Sequence, residues 1–235
     1  MPLPHLLREL ALDLLALVWP TECLACGAPD REFCDDCVAE IHVPTPPLRV
    51  EIGIPAYARG LYAGPLRALL LAYKNGGRAR GAALLGAQLR EPLARAVAEC
   101  TDTAPPVLVP VPSTPARFRE RGYRPVELLL AHARRGQAMR GQVRRALRTT
   151  RGRRGQVGLS PRERARNARM IAVRHAARPG LGGREVVLVD DVMTTGATLL
   201  AARDACESAG SRVVAIAVLC VAESRAEQVL GAQIR

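Results

Sequence analysis

Aromatic side chains are scarce: two Phe, four Tyr and one Trp make up 3% of the 235 residues. A protein that grips single-stranded nucleic acid through stacked bases needs such platforms. Any nucleic-acid binding here would lean on phosphates and weaken steeply with salt. Lysine is scarcer still, with Lys74 standing alone among 34 basic residues. Where arginine is used everywhere else, one compact ammonium hints at a place where its shape matters. Long apolar runs are also missing. Arg8, Glu9 and Asp13 interrupt the N-terminal "MPLPHLLRELALDLLALVWP", so it has no signal-peptide core, and no later stretch approaches membrane-spanning length. Leu6, Leu10, Leu14 and Leu17 fall at helical spacing and predict an amphipathic helix ending before Pro20. A cytoplasmic protein with no membrane span is expected. Nucleotide-binding glycine motifs are absent too: there is neither a P-loop with its lysine nor a Rossmann fingerprint.

Charge is present but uneven. The formal net charge is +12, and between Arg134 and Arg169 thirteen arginines face one acid, Glu163. The rest of the chain is balanced. Such a localised field suits a polyanion, either nucleic acid or a small phosphorylated ligand; the alternative is a solvated arginine-rich surface.

The cysteines fall into two groups. "CLACGAPDREFCDDC" places Cys23, Cys26, Cys34 and Cys37 as two C-x2-C pairs. Two such pairs can point four thiolates at one tetrahedral Zn²⁺ and fill its shell, which makes a structural site with no open catalytic position. Two disulfides are the rival pairing, but the lack of an export core argues against an oxidising compartment. A redox-active C-x-x-C would not need a second copy so near. Cys206 and Cys220 lie in apolar runs and read, with the isolated Cys100, as core filler.

After this cluster "VPTPPLRVEIGIP" is proline-rich and reads as a linker, placing a boundary near residue 45 between segments 1–45 and 46–235. Beyond it, strand-like and helical patterns alternate. Ile54–Ala58, Val107–Val111, Val186–Asp190 and Val213–Val221 predict strands; Pro65–Tyr73, Ala82–Val97, Val126–Arg134 and Ala197–Ala209 predict helices. Ser160, Pro161 and Glu163 form a capping box for one more. Strand, helix, strand in that order implies an α/β fold with a parallel sheet buried on both faces.

The stretch "VVLVDDVMTTGAT" carries the chemistry. Its apolar strand delivers Asp190 and Asp191 to the carboxyl edge of the sheet, where ligands of open α/β folds sit. The turn that follows enters a helix, whose free N–H groups and dipole favour an anion. Thr194, Thr195 and Thr198 add hydroxyls, Ala197 begins the helix, and Gly196 lets the backbone approach closely. The turn therefore suits a phosphate. The acids would repel that phosphate and are better used on sugar hydroxyls or hydrated Mg²⁺. A ribose carrying a 5-phosphate satisfies both ends.

These thirteen residues resemble the signature of type I phosphoribosyltransferases, whose loop holds phosphoribosyl pyrophosphate. The rest of the chain resembles the ComF-type competence family, a zinc finger joined to a phosphoribosyltransferase-like domain. "YAGPLRALLLAYKNGG" is similar to its Lys-aromatic-Gly segment, "VPVPSTPARFRERGY" to its Pro-Val-Pro and Arg-Gly-aromatic motifs, and "RTTRGRRGQVGLSPRERARN" to its Arg-Thr, Gln, Leu-Ser, Arg and Asn pattern. Two places depart from it. Arg124-Pro125 replaces Asn-Gln, and Met170-Ile171-Ala172 replaces Gly-Ala-Phe.

The resemblance implies a type I phosphoribosyltransferase-like parallel sheet flanked by helices, preceded by a small helix and a four-cysteine zinc finger. It implies Mg²⁺ bound with phosphoribosyl pyrophosphate at Asp190, Asp191, Thr194, Thr195, Gly196, Ala197 and Thr198. Asp190 and Asp191 would serve ribose and metal, not proton abstraction. Arg117, Arg121 and Lys74 are the candidates for pyrophosphate, and Arg148 to Arg154 for a flap over the site. Two functions follow: phosphoribosyl transfer to an acceptor, or a non-catalytic component of DNA uptake that binds single-stranded DNA or uptake proteins through the basic 134–169 segment.

Overall fold

The computed structural model describes residues 22–29, 32–75, 81–135, 139–150 and 171–223. The helices expected over Leu6–Leu17 and after Ser160 lie outside the described residues. In chain order the elements are α1 (Asp35–His42), β1 (Leu48–Glu51), β2 (Pro55–Leu61), α2 (Gly64–Asn75), α3 (Ala82–Ala98), β3 (Val107–Pro110), α4 (Pro115–Arg121), α5 (Pro125–Ala133), β4 (Gln142–Val143), β5 (Leu147–Thr149), β6 (Ile171–Val173), a 3₁₀ turn (His175–Gly180), β7 (Glu185–Met193), α6 (Ala197–Glu207) and β8 (Arg212–Val221).

Six strands form one sheet in the order β1-β2-β8-β7-β3-β4. β1 and β2 pair antiparallel, and every other pair is parallel. The central strands β7 and β8 are almost continuously apolar because helices cover both sheet faces. Along β7 the side chains alternate: Val186 and Leu188 join the core under α6 and the small antiparallel β5–β6 pair. Val187 and Val189 join the opposite core, which α2, α3 and α5 cover with Leu69, Leu89 and Leu129. Cys206 and Cys220 are fully buried in these two cores, as expected of filler. α3 and α5 cross closely at Gly86, where a Cβ would lie 2.5 Å from His132 Cβ and 2.9 Å from the Leu129 carbonyl oxygen.

The end of the sheet opposite its carboxyl edge is pinned by a buried acid. The Glu185 side chain, 1% exposed, accepts hydrogen bonds from the backbone N–H groups of Thr101 (3.2 Å) and Asp102 (3.0 Å) and pairs with Arg212. Burial pushes this carboxyl up, but the N–H donors of Asp102 and Thr101 outweigh it and hold it below the ordinary glutamate range.

Two expectations change. The proline-rich stretch read as linker contains β1; the strand is an edge with Val50 its single buried residue and Leu48 half-buried against the same core, so the prolines dominate the pattern. The strand read as Val186–Asp190 runs on to Met193, because β8 continues to pair with it through Asp190↔Val218 and Val192↔Cys220. The acid pair thus lies within the strand. Among the described residues, no helix is long and apolar enough to cross a membrane.

Candidate functional site

β7 ends at Met193, and after a three-residue turn α6 begins at Ala197. Gly196 caps that helix with φ +78°, a left-handed conformation, and a Cβ there would lie 3.2 Å from Ile52 Cδ1. Both facts call for glycine. No acid stands in the first turn of α6 and no side chain caps it from position 196. Ala197 N–H reaches Thr195 Oγ1 only at 3.4 Å. The start of α6 therefore presents backbone donors and the positive end of a helix dipole to the space beyond.

That space is a cleft of about 360 Å³ along the carboxyl edge of the sheet. From the expected set, Asp190, Asp191, Thr194, Gly196, Thr198, Lys74, Arg117 and Arg121 line it. Thr195 and Ala197 are not among its lining residues. α4 supplies the arginines: Thr114 caps it by accepting from Arg117 N–H at 3.4 Å, Pro115 occupies its first turn, and Gly122 ends it with φ +75°. No residue of α4 is buried, so hydrophobic periodicity could not reveal it; Thr-Pro before and Gly after were its available signals.

The acids are held differently. Asp190 Oδ1 accepts from Asp191 N–H at 2.8 Å. Asp191 Oδ1 takes the Lys74 ammonium at 2.7 Å, with the two side chains only 14% and 18% exposed. Lys74, a pyrophosphate candidate by resemblance, is thus engaged with an acid of the same cleft. Sequence reasoning missed this contact, which joins residues 117 apart. Of the stretch Arg148 to Arg154, Arg148 lies in β5 and 151–154 lie outside the described residues.

The four finger cysteines converge. Their Sγ atoms all lie within 4.8 Å of one another, with Cys26 and Cys34 at 3.6 Å. Tetrahedral Zn²⁺ with Zn–S near 2.3 Å needs sulfurs about 3.8 Å apart, so the cluster is compatible with a structural zinc. Cys34 N–H points to Cys23 Sγ and Cys37 N–H to Cys34 Sγ, both at 3.5 Å, and Gly27 makes the first turn at φ +77°. Burial pushes the Cys23 thiol up, but N–H groups of Cys34, Cys26 and Ala25 outweigh it and bring it down to about 6. Cys34 also caps α1, and α1 docks on the sheet: Ile41 enters the core, while Arg59 Nη2 donates to the carbonyls of Ile41 (2.9 Å) and Val43 (2.7 Å).

Comparison with known proteins bears on the same region. Residues 125–231, a little under half of the chain, match the family described as "Phosphoribosyl transferase domain". A 40-residue stretch is 58% identical to adenine phosphoribosyltransferase of Rhodococcus opacus (strain B4) and 55% identical to that of Rhodococcus jostii (strain RHA1). In both cases it covers 17% of this chain and 23% of the relative, so the chain spans under a quarter of the length of these curated relatives. A solved structure of "the allosteric regulatory enzyme of purine biosynthesis" is similar at 18% identity and TM-score 0.33, over 57% of this chain and 26% of that one. The chain carries a phosphoribosyltransferase-type α/β domain with a cysteine cluster near its N-terminus.

Proposed function

We propose that the protein binds phosphoribosyl pyrophosphate with Mg²⁺ in the cleft at the carboxyl edge of the sheet and transfers its phosphoribosyl group to a nucleophilic acceptor. The observation that carries this reading is the meeting, in one cleft, of the start of α6, two carboxylates and two arginines on a separate helix. The 5-phosphate takes backbone donors at the start of α6 and the hydroxyls of Thr194 and Thr198, the two threonines of the turn that line the cleft. Asp190 and Asp191 accept from ribose hydroxyls. Arg117 and Arg121 face the pyrophosphate and offset the charge that grows on it as the C1–oxygen bond breaks, work for which guanidinium is suited. Mg²⁺ would be held in the cleft with the help of the Asp190 and Asp191 carboxylates and would supply positive charge to offset that of the pyrophosphate. Zn²⁺ on Cys23, Cys26, Cys34 and Cys37 has a structural role far from this chemistry in kind: four sulfurs leave no open position.

The test is a calorimetric titration of phosphoribosyl pyrophosphate and Mg²⁺ into the wild type and the double variant Asp190→Ala, Asp191→Ala. Binding is expected in the first and lost in the second, with zinc content unchanged in both. Wild-type affinity in the double variant contradicts the assignment.

The resemblance adds a cytoplasmic location and a role in DNA uptake, with single-stranded DNA as the ligand of the basic stretch. Of its arginines, Arg134 and Arg140 spend guanidinium hydrogen bonds on backbone carbonyls, of Gly141 and of Asp102 and Thr103, and Arg145 pairs with Glu127. A side chain so engaged can still face a phosphate. DNA affinity measured against salt, with and without the ribosyl pyrophosphate, separates a shared surface (competition) from two surfaces (independence).

A further inference from the structure

The acid pair does not stand on one side of its strand. Asp190 pairs in register with Val218, which belongs to the core under α6, whereas Asp191 meets Lys74 on the side of α2; just beyond, Val192 joins the α2-side core and Met193 the other, so the alternation breaks at the acid pair. The last turn of α2 brings Lys74 to Asp191 at 2.7 Å. That turn is itself fastened. Tyr123, in the bend between α4 and α5, donates its hydroxyl to the Tyr73 carbonyl. Tyr73 returns a hydrogen bond to the Pro125 carbonyl at 2.9 Å, and the two rings pack with centroids 5.4 Å apart. Tyr73 is 1% exposed, so this clasp is part of the core. A long, flexible ammonium is thereby tethered by a rigid backbone to one carboxylate of the pair. It is also the single lysine of a chain that uses arginine for its other cations. Arginine's broad fork needs room for several bonds, whereas a point charge can sit on one oxygen.

We propose that Lys74 is a positioning residue, a resident cation that holds Asp191 and occupies the place on it that a divalent ion would otherwise take. This rests on the reading of the cleft given above and sharpens it: the protein supplies part of the positive charge that its acid pair needs, which lowers the number of divalent ions taken up. Two adjacent carboxylates this little exposed are costly when both are ionised without a counter-charge. Removing the ammonium leaves that charge to be met by metal. A purely structural lysine would affect folding alone and leave the metal count as it was.

The experiment counts Mn²⁺ bound per chain, by the paramagnetic signal of the free ion, on zinc-loaded full-length protein. Wild type, Lys74→Met, Lys74→Gln and Lys74→Arg are compared, each with and without phosphoribosyl pyrophosphate. Without the ligand, Lys74→Met and Lys74→Gln are expected to bind one Mn²⁺ per chain more than wild type, at least tenfold tighter than any Mn²⁺ on the wild type at that cleft. Lys74→Arg, which keeps the charge, is expected to return toward the wild-type count. Adding Asp191→Ala to Lys74→Met should abolish the extra ion. Equal counts in wild type and in both neutral variants, with native circular dichroism, overturn the proposal. So does an extra ion that survives Asp191→Ala. Because these counts need no sugar ligand, they stand apart from the functional reading. If wild type fails to bind the ribosyl pyrophosphate while the extra Mn²⁺ appears, that reading falls and the role of Lys74 holds. If the ligand binds and the count is flat, only the role of Lys74 falls.

Discussion

Replacing Gly196 by alanine tests whether the start of α6 is shaped for a ligand. The residue sits at φ +78°, and an added Cβ would lie 3.2 Å from Ile52 Cδ1. Holding a residue with a Cβ in the left-handed region costs about 1–2 kcal/mol. The contact adds less, since Cδ1 is the mobile tip of a side chain and can yield a few tenths of an ångström. For a domain of 150–250 residues each kcal/mol lowers Tm by about 2–4 °C, so a fall of roughly 2–8 °C is expected. The chain can avoid that strain only by rotating the peptides that present the helix donors. Affinity for phosphoribosyl pyrophosphate should then drop tenfold or more, a loss of about 1.4 kcal/mol. Differential scanning calorimetry gives the first quantity and isothermal titration the second. Gly196→Asn should lose less of both, because asparagine enters the left-handed region more readily. Adding Ile52→Ala to Gly196→Ala should not restore affinity, because the cost lies in the backbone. An alanine variant with wild-type Tm and wild-type affinity refutes the reasoning. So does full rescue by Ile52→Ala, which would make the defect one of crowding.

Elemental analysis should find about one zinc per chain, and Cys23→Ser should lose it and expose residues 22–42 to protease; protein purified reduced and chelator-free but without zinc would count against the cluster. Glu185 lies below the ordinary glutamate range, so its contribution is complete above about pH 4.3, where the unfolded side chain is ionised, and fades as pH falls through the lower folded value. Glu185→Gln should cost about 1–3 kcal/mol in urea unfolding at neutral pH and flatten this acid limb; a limb of unchanged steepness would place it on other groups. Gly86→Ala should destabilise by about 1–3 kcal/mol through overpacking against α5, since His132 Cβ would stand 2.5 Å away; an unchanged unfolding midpoint would show that the two helices part freely.

Much of the scaffold was legible in the sequence because its central strands are buried on both faces. Val186–Val189 and Val213–Val221 form apolar runs that only a covered parallel sheet explains, and both are strands in that sheet. The turn at 194–196 was legible too: hydroxyl residues and a glycine stand directly before the start of α6. What stayed hidden has three physical sources. Edge and surface elements bury too little to leave a period, as in β1 with Val50 alone and α4 with nothing buried. Two carboxylates look like the end of a strand, yet backbone pairing with β8 disregards side-chain polarity and carries β7 past them. Contacts across the fold leave no local mark at all. Lys74 meeting Asp191, Tyr123 holding the carbonyl of Tyr73, and Arg59 tying α1 to the sheet each join residues that are far apart in sequence.

A crystal structure of the protein grown with phosphoribosyl pyrophosphate and Mn²⁺ tests the central claim most directly. The account predicts the 5-phosphate on the N–H groups at the start of α6, the ribose hydroxyls at Asp190 and Asp191, and the pyrophosphate turned toward Arg117 and Arg121. A ligand bound the other way round, with pyrophosphate on the Thr194–Thr198 turn, or density only outside the cleft, would contradict it.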